Sequence, residues 1–276
     1  MIWLIRTSFR LLGPLFPKTA ATAGVNLFYS PRKTDSSKLE LAYKAKAKQI
    51  KLQGPLGEIS TYQWGDSHLP KVMLVHGWEG RATHLYKFID PILEHGFGVI
   101  AFDGPAHGDS EGNKTTLPLF AKVLAEVHQA NEDICFVVAH SFGCGATAIA
   151  VNNGIAFEKA AFLSSPYSVE NVVNKFGEFL RIPVKSVSMM HEIMETERWH
   201  NMPRANLSFS TLGPRISFPT LFIHDKDDKY VPYEDGLKAS NQCKRSEFVA
   251  TSKLGHNKIL LKKSVVDKVI NYLFGE

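Results

Sequence analysis

The chain has 276 residues, a formal net charge of +5, 44% hydrophobic and 21% charged residues, enough for one large α/β domain with a sizeable core and too apolar for wholesale disorder. Lys and Arg are scattered among acids, with no basic block interleaved with aromatics, which argues against nucleic acid as a partner. The three dispersed cysteines, Cys135, Cys144 and Cys243, make neither a disulfide framework nor a zinc site.

Met1 to Phe16 opens the chain. It is apolar at Ile2, Trp3, Leu4, Ile5, Phe9, Leu11, Leu12, Leu15 and Phe16, with Arg6 and Arg10 interrupting. A membrane span needs ~20 apolar residues. A secretory signal needs an unbroken apolar stretch, which Arg10 breaks, although Ala21-Thr22-Ala23 superficially resembles a cleavage site. The expectation is an amphipathic helix packed on the domain, with peripheral membrane contact or export as the alternatives. Cys135 and Cys144 flank Ser141 in apolar sequence and read as buried thiols, so a reducing, cytoplasmic setting is expected.

From residue 47 onward, apolar β-like runs alternate with helical patterns. Strands are predicted over 47–52, 58–64, 72–76, 98–102, 134–139, 160–164, 219–224 and 247–251, the first two joined by the turn-rich Gln53-Gly54-Pro55-Leu56-Gly57. The later strands are short, continuously apolar and separated by helical stretches, as buried parallel strands with crossover helices are. Helices are predicted over 83–95, 118–130, 142–152, 233–240 and 261–274. The alternation breaks between Pro166 and Pro214. A structureless interruption of about fifty residues is rare inside a compact domain, so this segment reads as a functional insertion. Its apolar residues recur at partly helical spacing, which predicts a small helical cap over residues 166–215. Among its basic residues are Lys175, Arg181, Lys185, Arg198 and Arg204, expected on a solvated face. The predicted organisation is an extension (1–46), a core (47–165 and 216–276) and that insertion.

Within the run Cys135 to Gly145, the apolar strand stops at Ser141, and a helical segment follows. Ala139 and Gly143 stand two positions either side. A serine on a sharp strand-to-helix turn needs small residues there, because larger ones clash. Serine is a weak nucleophile until a base takes its proton, and a histidine base works best when a carboxylate holds it. The seventh predicted strand ends in His224-Asp225-Lys226-Asp227-Asp228 and the eighth is followed by Gly255-His256. Strand ends of a parallel sheet converge on one edge, so a serine, an acid and a histidine can meet there.

These residues carry a resemblance to the α/β-hydrolase superfamily, in particular to bacterial-type serine esterases with a lid insertion between strands 6 and 7. Val72-Met73-Leu74-Val75-His76-Gly77-Trp78 resembles the family's strand-3 His-Gly-x motif. Asp103 to Ser110 resembles its Asp-x-x-Gly-x-Gly-x-Ser loop, with Ala106 in place of the first Gly. Ala139 to Gly143 resembles the nucleophile elbow, with Ala139 in place of Gly. His224 to Pro232 resembles His-Gly-x-x-Asp-x-x-Val-Pro, and Gly255-His256 the terminal base. The resemblance covers roughly residues 47 to 275. It implies an α/β-hydrolase fold: an eight-stranded, mostly parallel sheet with helices on both faces and a helical cap.

The resemblance further implies Ser141 as nucleophile, His256 as base and Asp228 as the acid, with Asp225 the alternative. It implies an oxyanion hole from the backbone N–H groups of Trp78 and Phe142. Trp78, His140 and Phe142 are the expected substrate-binding residues. His76 and His140 read as structural or pocket-lining, and His107 as a loop stabiliser. The function that follows is hydrolysis of a carboxylic ester with an apolar acyl group, using no metal and no cofactor. Thioesterase, lipase and carbon–carbon bond hydrolase are compatible with the same residues, and a non-catalytic binding module is the alternative of a different class.

Overall fold

The computed structural model describes residues 2–131, 133–196 and 204–275. Eight strands form one sheet: β1 (Lys48–Gly54), β2 (Gly57–Trp64), β3 (Lys71–Val75), β4 (Gly98–Phe102), β5 (Ile134–His140), β6 (Lys159–Leu163), β7 (Thr220–Asp225) and β8 (Ser246–Thr251). Their spatial order is β1-β2-β4-β3-β5-β6-β7-β8. The pairs β1–β2 and β2–β4 are antiparallel and all the others parallel. The helices are α1 (Ile2–Leu12), α2 (Pro17–Tyr29), α3 (Lys38–Lys46), α4 (Ile89–Glu94), α5 (Leu117–Gln129), α6 (Phe142–Asn152), α7 (Val169–Leu180), α8 (Val184–Thr196), α9 (Phe209–Leu212), α10 (Tyr233–Gln242), α11 (Gly255–Lys258) and α12 (Lys263–Phe274).

The apolar runs become central strands because both faces of the sheet are covered. Met73, Val75, Ile100, Phe102, Val137 and Ala139 face one core, which α5 and α6 close. Their neighbours Val72, Leu74, Val99, Ala101, Phe136 and Val138 face a second core, closed by α4 and α12. This alternation is the two-residue period of a strand, and it leaves no polar face to pattern the sequence. Cys144 and Cys243 are buried, but Cys135 is only half-buried, because it lies at the start of β5 where the strand emerges near Asp133.

Three features differ from the sequence expectations. The helix predicted over 83–95 is a 3-10 helix (Ala82–Phe88) followed by α4, with non-helical torsions at Leu85. Pro91 lacks an N–H and fits only the first turn of a helix, so a new helix starts just before it. The apolar stretch to Phe16 is not one helix. α1 stops at Leu12, and the Gly13-Pro14 turn leads into α2, which starts on Pro17. Nor does this pair rest on the sheet: Phe9, Ala21 and Val25 pack with Val173, Leu180 and Met190 of the insertion. Gly24 makes the approach of α2 to α8 close, since a Cβ there would lie 2.7 Å from the Met190 sulfur. Arg198 lies outside the described residues, as does the rest of 197–203.

The third difference is α3, which begins on a capping box. The Ser37 hydroxyl accepts from the Glu40 amide, and the Glu40 carboxylate accepts from the Ser37 amide (2.9 Å). Both orphan donors are satisfied at once. Replacing Ser37 by Ala lowers stability by about 1 kcal/mol in urea unfolding, with the dependence on denaturant unchanged.

Candidate active site

Ser141 occupies the junction of β5 and α6 with φ of 51° and ψ of −119°, a left-handed conformation that thrusts its side chain clear of the strand. The turn tolerates this because its neighbours are small. A Cβ on Gly143 would lie 2.6 Å from the His76 carbonyl oxygen, and one on Gly77 would lie 3.0 Å from Ser141 Cβ. Ala139, with its single methyl, is fully buried and fits.

His256 Nε2 lies 2.9 Å from Ser141 Oγ, and His256 Nδ1 lies 2.7 Å from Asp228 Oδ2. With Asp228 ionised, Nδ1 carries the proton and Nε2 is free to accept the Ser141 hydroxyl proton. The Asp228 side chain is fully buried and that of His256 only 11% exposed. Burial works against ionisation of Asp228. Hydrogen bonds from His224, His256 and the Val231 amide outweigh it and hold the carboxyl well below its ordinary value.

The two acids of the loop have different work. Asp225 accepts from the Gly255 amide (2.9 Å), the Leu254 amide (3.1 Å) and the Thr251 hydroxyl (2.7 Å). Burial would raise its pKa, yet these bonds, with one from the Asp227 amide, pull it below the usual carboxylate range. Asp225 thus anchors the loop that presents His256, and Asp228 alone of the pair meets the imidazole. Nothing in the sequence marked Asp225 for this except its place at a strand end.

Three further histidines near the site, His140, His76 and His107, are buried, and burial lowers each imidazole pKa so that the ring is neutral. His140 is buried and its ring sits 4.7 Å from that of His256. Its Nε2–H donates to the His256 carbonyl (3.0 Å). Of the two roles open to it, the geometry places His140 as a support for the His256 backbone, away from the cleft where substrate was expected. Burial, then the nearby His256, holds it well below the ordinary imidazole value. His76 joins two loops, its Nδ1–H donating to the Gly77 carbonyl (2.7 Å) and its Nε2 accepting from the Gly104 amide (2.9 Å). His107 does the same between the Pro105 carbonyl and the Glu79 amide.

The Trp78 and Phe142 amides have no acceptor among the described residues; Phe142 is the first residue of α6, where N–H groups are normally unpaired. The rings of the two residues meet edge to face at 5.2 Å. Both line an apolar cleft whose other walls include Phe28 and Tyr29 of α2, Val172 of α7 and Met194 of α8. Phe28 also stacks on Trp78, with ring centroids 6.0 Å apart. Sequence reasoning missed the α2 residues, because nothing local in them points to a partner so far along the chain. Among the described residues no group of three or more His, Cys, Asp or Glu is placed to hold a metal ion.

The alpha/beta hydrolase family model matches residues 72–257. A serine hydrolase-like protein of Homo sapiens is 28% identical over 100 residues, covering 34% of this chain and 49% of that protein. Its Mus musculus counterpart is 30% identical over 100 residues, covering 34% of this chain and 32% of its own length. The chain therefore spans about half or less of the curated relatives it matches. Among solved structures, a Pyrococcus furiosus esterase superposes with a TM-score of 0.66 at 18% identity, covering 88% of this chain and 98% of the other. The thioesterase domain from the curacin biosynthetic pathway gives 0.61 at 15% identity, covering 81% and 99%. A bacterial membrane phospholipase A gives 0.64 at 16% identity, covering 95% and 94%. At these identities the likeness shows the fold.

The neutral, buried histidines give this site an acid limit. Burial pushes His107 down to about 4, whereas in the unfolded chain the same ring takes up its proton near 6.5. Between those values the unfolded state binds more protons, so stability is full above about pH 6.5 and falls as pH drops toward 4. Urea midpoints measured across that window fall in the wild type and fall less in His107→Gln.

Proposed function

We propose that this chain, which belongs to the alpha/beta hydrolase family, is a serine hydrolase that cleaves a carboxylic ester bearing an apolar acyl group. The relay from Ser141 Oγ through His256 to Asp228, at 2.9 Å and 2.7 Å, is the observation that carries the reading. Ser141 Oγ attacks the acyl carbonyl while His256 Nε2 takes its proton. The Trp78 and Phe142 amides hold the oxyanion that forms. His256 then gives the proton to the departing alkoxide, leaving an acyl group on Ser141. Water, deprotonated by His256, attacks that ester, and the acid leaves as Ser141 regains its proton. Asp228 keeps the imidazole in the productive tautomer and steadies its positive charge throughout.

The apolar cleft beside Trp78 and Phe142 receives the acyl chain. Phe28 and Tyr29 of α2, Val172 of α7 and Met194 of α8 form one side of its wall, and these helices act together as the lid of the site. Met194 supplies an adaptable wall. The three unpaired thiols support a cytoplasmic setting.

A p-nitrophenyl ester panel paired with an equivalent thioester panel tests the reading. Ser141→Ala lowers kcat/KM at least about a thousandfold, and Asp228→Asn does so through the tautomer of His256. Faster turnover of the thioesters would shift the substrate class while keeping the relay. Hydrolysis that survives Ser141→Ala, or a fluorophosphonate probe that never labels Ser141, would overturn the mechanism in favour of a binding module.

Cleft shape gives a separate expectation. Trp78→Ala opens the space beside Ser141 and moves the preference toward bulkier acyl groups, read as the ratio of kcat/KM for long against short chains. An unchanged ratio would remove Trp78 from the acyl site.

A further inference from the structure

A surface helix of a globular protein normally turns its charged side outward. α1 does not. Phe9 is its one buried residue, and Trp3, Leu4, Leu11 and Leu12 all stand exposed. Leu15 and Phe16 in the following turn extend the apolar surface. The insertion continues it, because the turn at Gly13 lies against Pro183, so that Val184, 84% exposed, sits beside it. Exposed Phe179 joins from the end of α7, with the Arg6 guanidinium over its ring at 5.5 Å. The result is one contiguous apolar face built from two distant parts of the chain, of the kind that marks an interaction surface.

The charges around the face select its partner. From Ile2 to Tyr29 there is no acidic residue, while Arg6, Arg10 and Lys18 are all basic. Arg10 and Lys18 are exposed at its margin, Arg181 and Lys185 lie at the turn between α7 and α8, and Glu178 beside Phe179 is already paired with Lys175 at 2.8 Å. Two copies of such a face would bring like charges together. Anionic headgroups above an acyl layer match both its apolar centre and its basic edge. No helix among the described residues is long and apolar enough to cross a membrane.

The structure assigns this face, we propose, to the surface of an anionic lipid bilayer, on which α1 lies in the plane of the interface. The same three helices connect it to the cleft. α2, α7 and α8 present Phe16–Pro17, Phe179 and Val184 at one end and Phe28–Tyr29, Val172 and Met194 at the other. The cleft therefore stands one helix length, about 20 Å, from the docking end. Docking holds the site above the bilayer. This goes beyond the hydrolytic reading and does not depend on it.

The test uses the full chain carrying Ser141→Ala, so that no lipid is consumed and binding is read apart from hydrolysis. Co-sedimentation with phosphatidylglycerol–phosphatidylcholine vesicles should exceed that with phosphatidylcholine alone by at least about tenfold, and 0.5 M salt should erase most of that difference, on the order expected for screened surface charge. Brominated lipid should quench the fluorescence lost in Trp3→Phe. The exposed triple substitution Leu4→Gln, Leu11→Gln, Leu15→Gln should cut vesicle binding at least about tenfold with an unchanged circular dichroism spectrum. Arg10→Gln with Lys18→Gln should weaken binding to anionic vesicles alone. Vesicle binding that survives the triple substitution overturns the proposal. So does absence of binding together with a dimer in sedimentation velocity that the same substitutions dissociate, which would make the face an interface between copies.

Discussion

Residue 143 has no room for a side chain. A Cβ there would press within 2.6 Å of the His76 carbonyl oxygen and 2.8 Å of that of Val75. The first turn of α6 consequently lies directly on the end of β3, and the chain can enter α6 only through the left-handed turn at Ser141. That one close approach aims the serine hydroxyl at His256, 2.9 Å away, and leaves the Phe142 amide at the free N-terminal end of α6. It also explains why the loops after β3 and β4 are tied down by neutral histidines. If His76 or His107 released its carbonyl and amide partners, the backbone against which Gly143 rests would be free to shift.

The central strands and the order of the serine, acid and histidine were legible because each leaves a local mark. Strands buried on both faces read as unbroken apolar runs, and a strand-to-helix turn demands small residues at fixed positions. The choice between Asp225 and Asp228 was not local. Both lie in one acidic stretch at the end of β7, and what separates them is which groups they satisfy: the Thr251 hydroxyl and the Leu254 and Gly255 amides for Asp225, the imidazole for Asp228. Ala106 takes a φ of 65° where the family has glycine, a conformation that costs an L-residue on the order of 1 kcal/mol. The surrounding loop holds it there, so the departure from the motif changed a cost and left the shape intact.

The pairing of the first helices with the insertion was illegible for a different reason. α2 is recognised by its partners through small residues, Ala20, Ala21 and Gly24, which let α8 approach closely. A reading of apolar periodicity gives weight to large side chains and passes over such a stripe. α3 did carry a legible signal in its Ser37-x-x-Glu40 box, overlooked beside the stronger patterns downstream. The region above the site is thus one helical unit assembled from both ends of a long stretch of chain, and Phe28 stacked on Trp78 is where that unit touches the proposed chemistry.

The contact of Gly24 with Met190 also fixes an order of events during synthesis. α1 and α2 leave the ribosome ahead of the sheet, yet the helix that covers them arrives only after six strands of the sheet have been made. Until then their apolar sides have nothing native to rest on, and such a long-range closure cannot nucleate folding early. The nascent chain must keep two sticky helices out of trouble while the sheet assembles beneath them. A holding partner, whether chaperone or lipid surface, would act on the protein before it has acquired the cleft that those helices later wall.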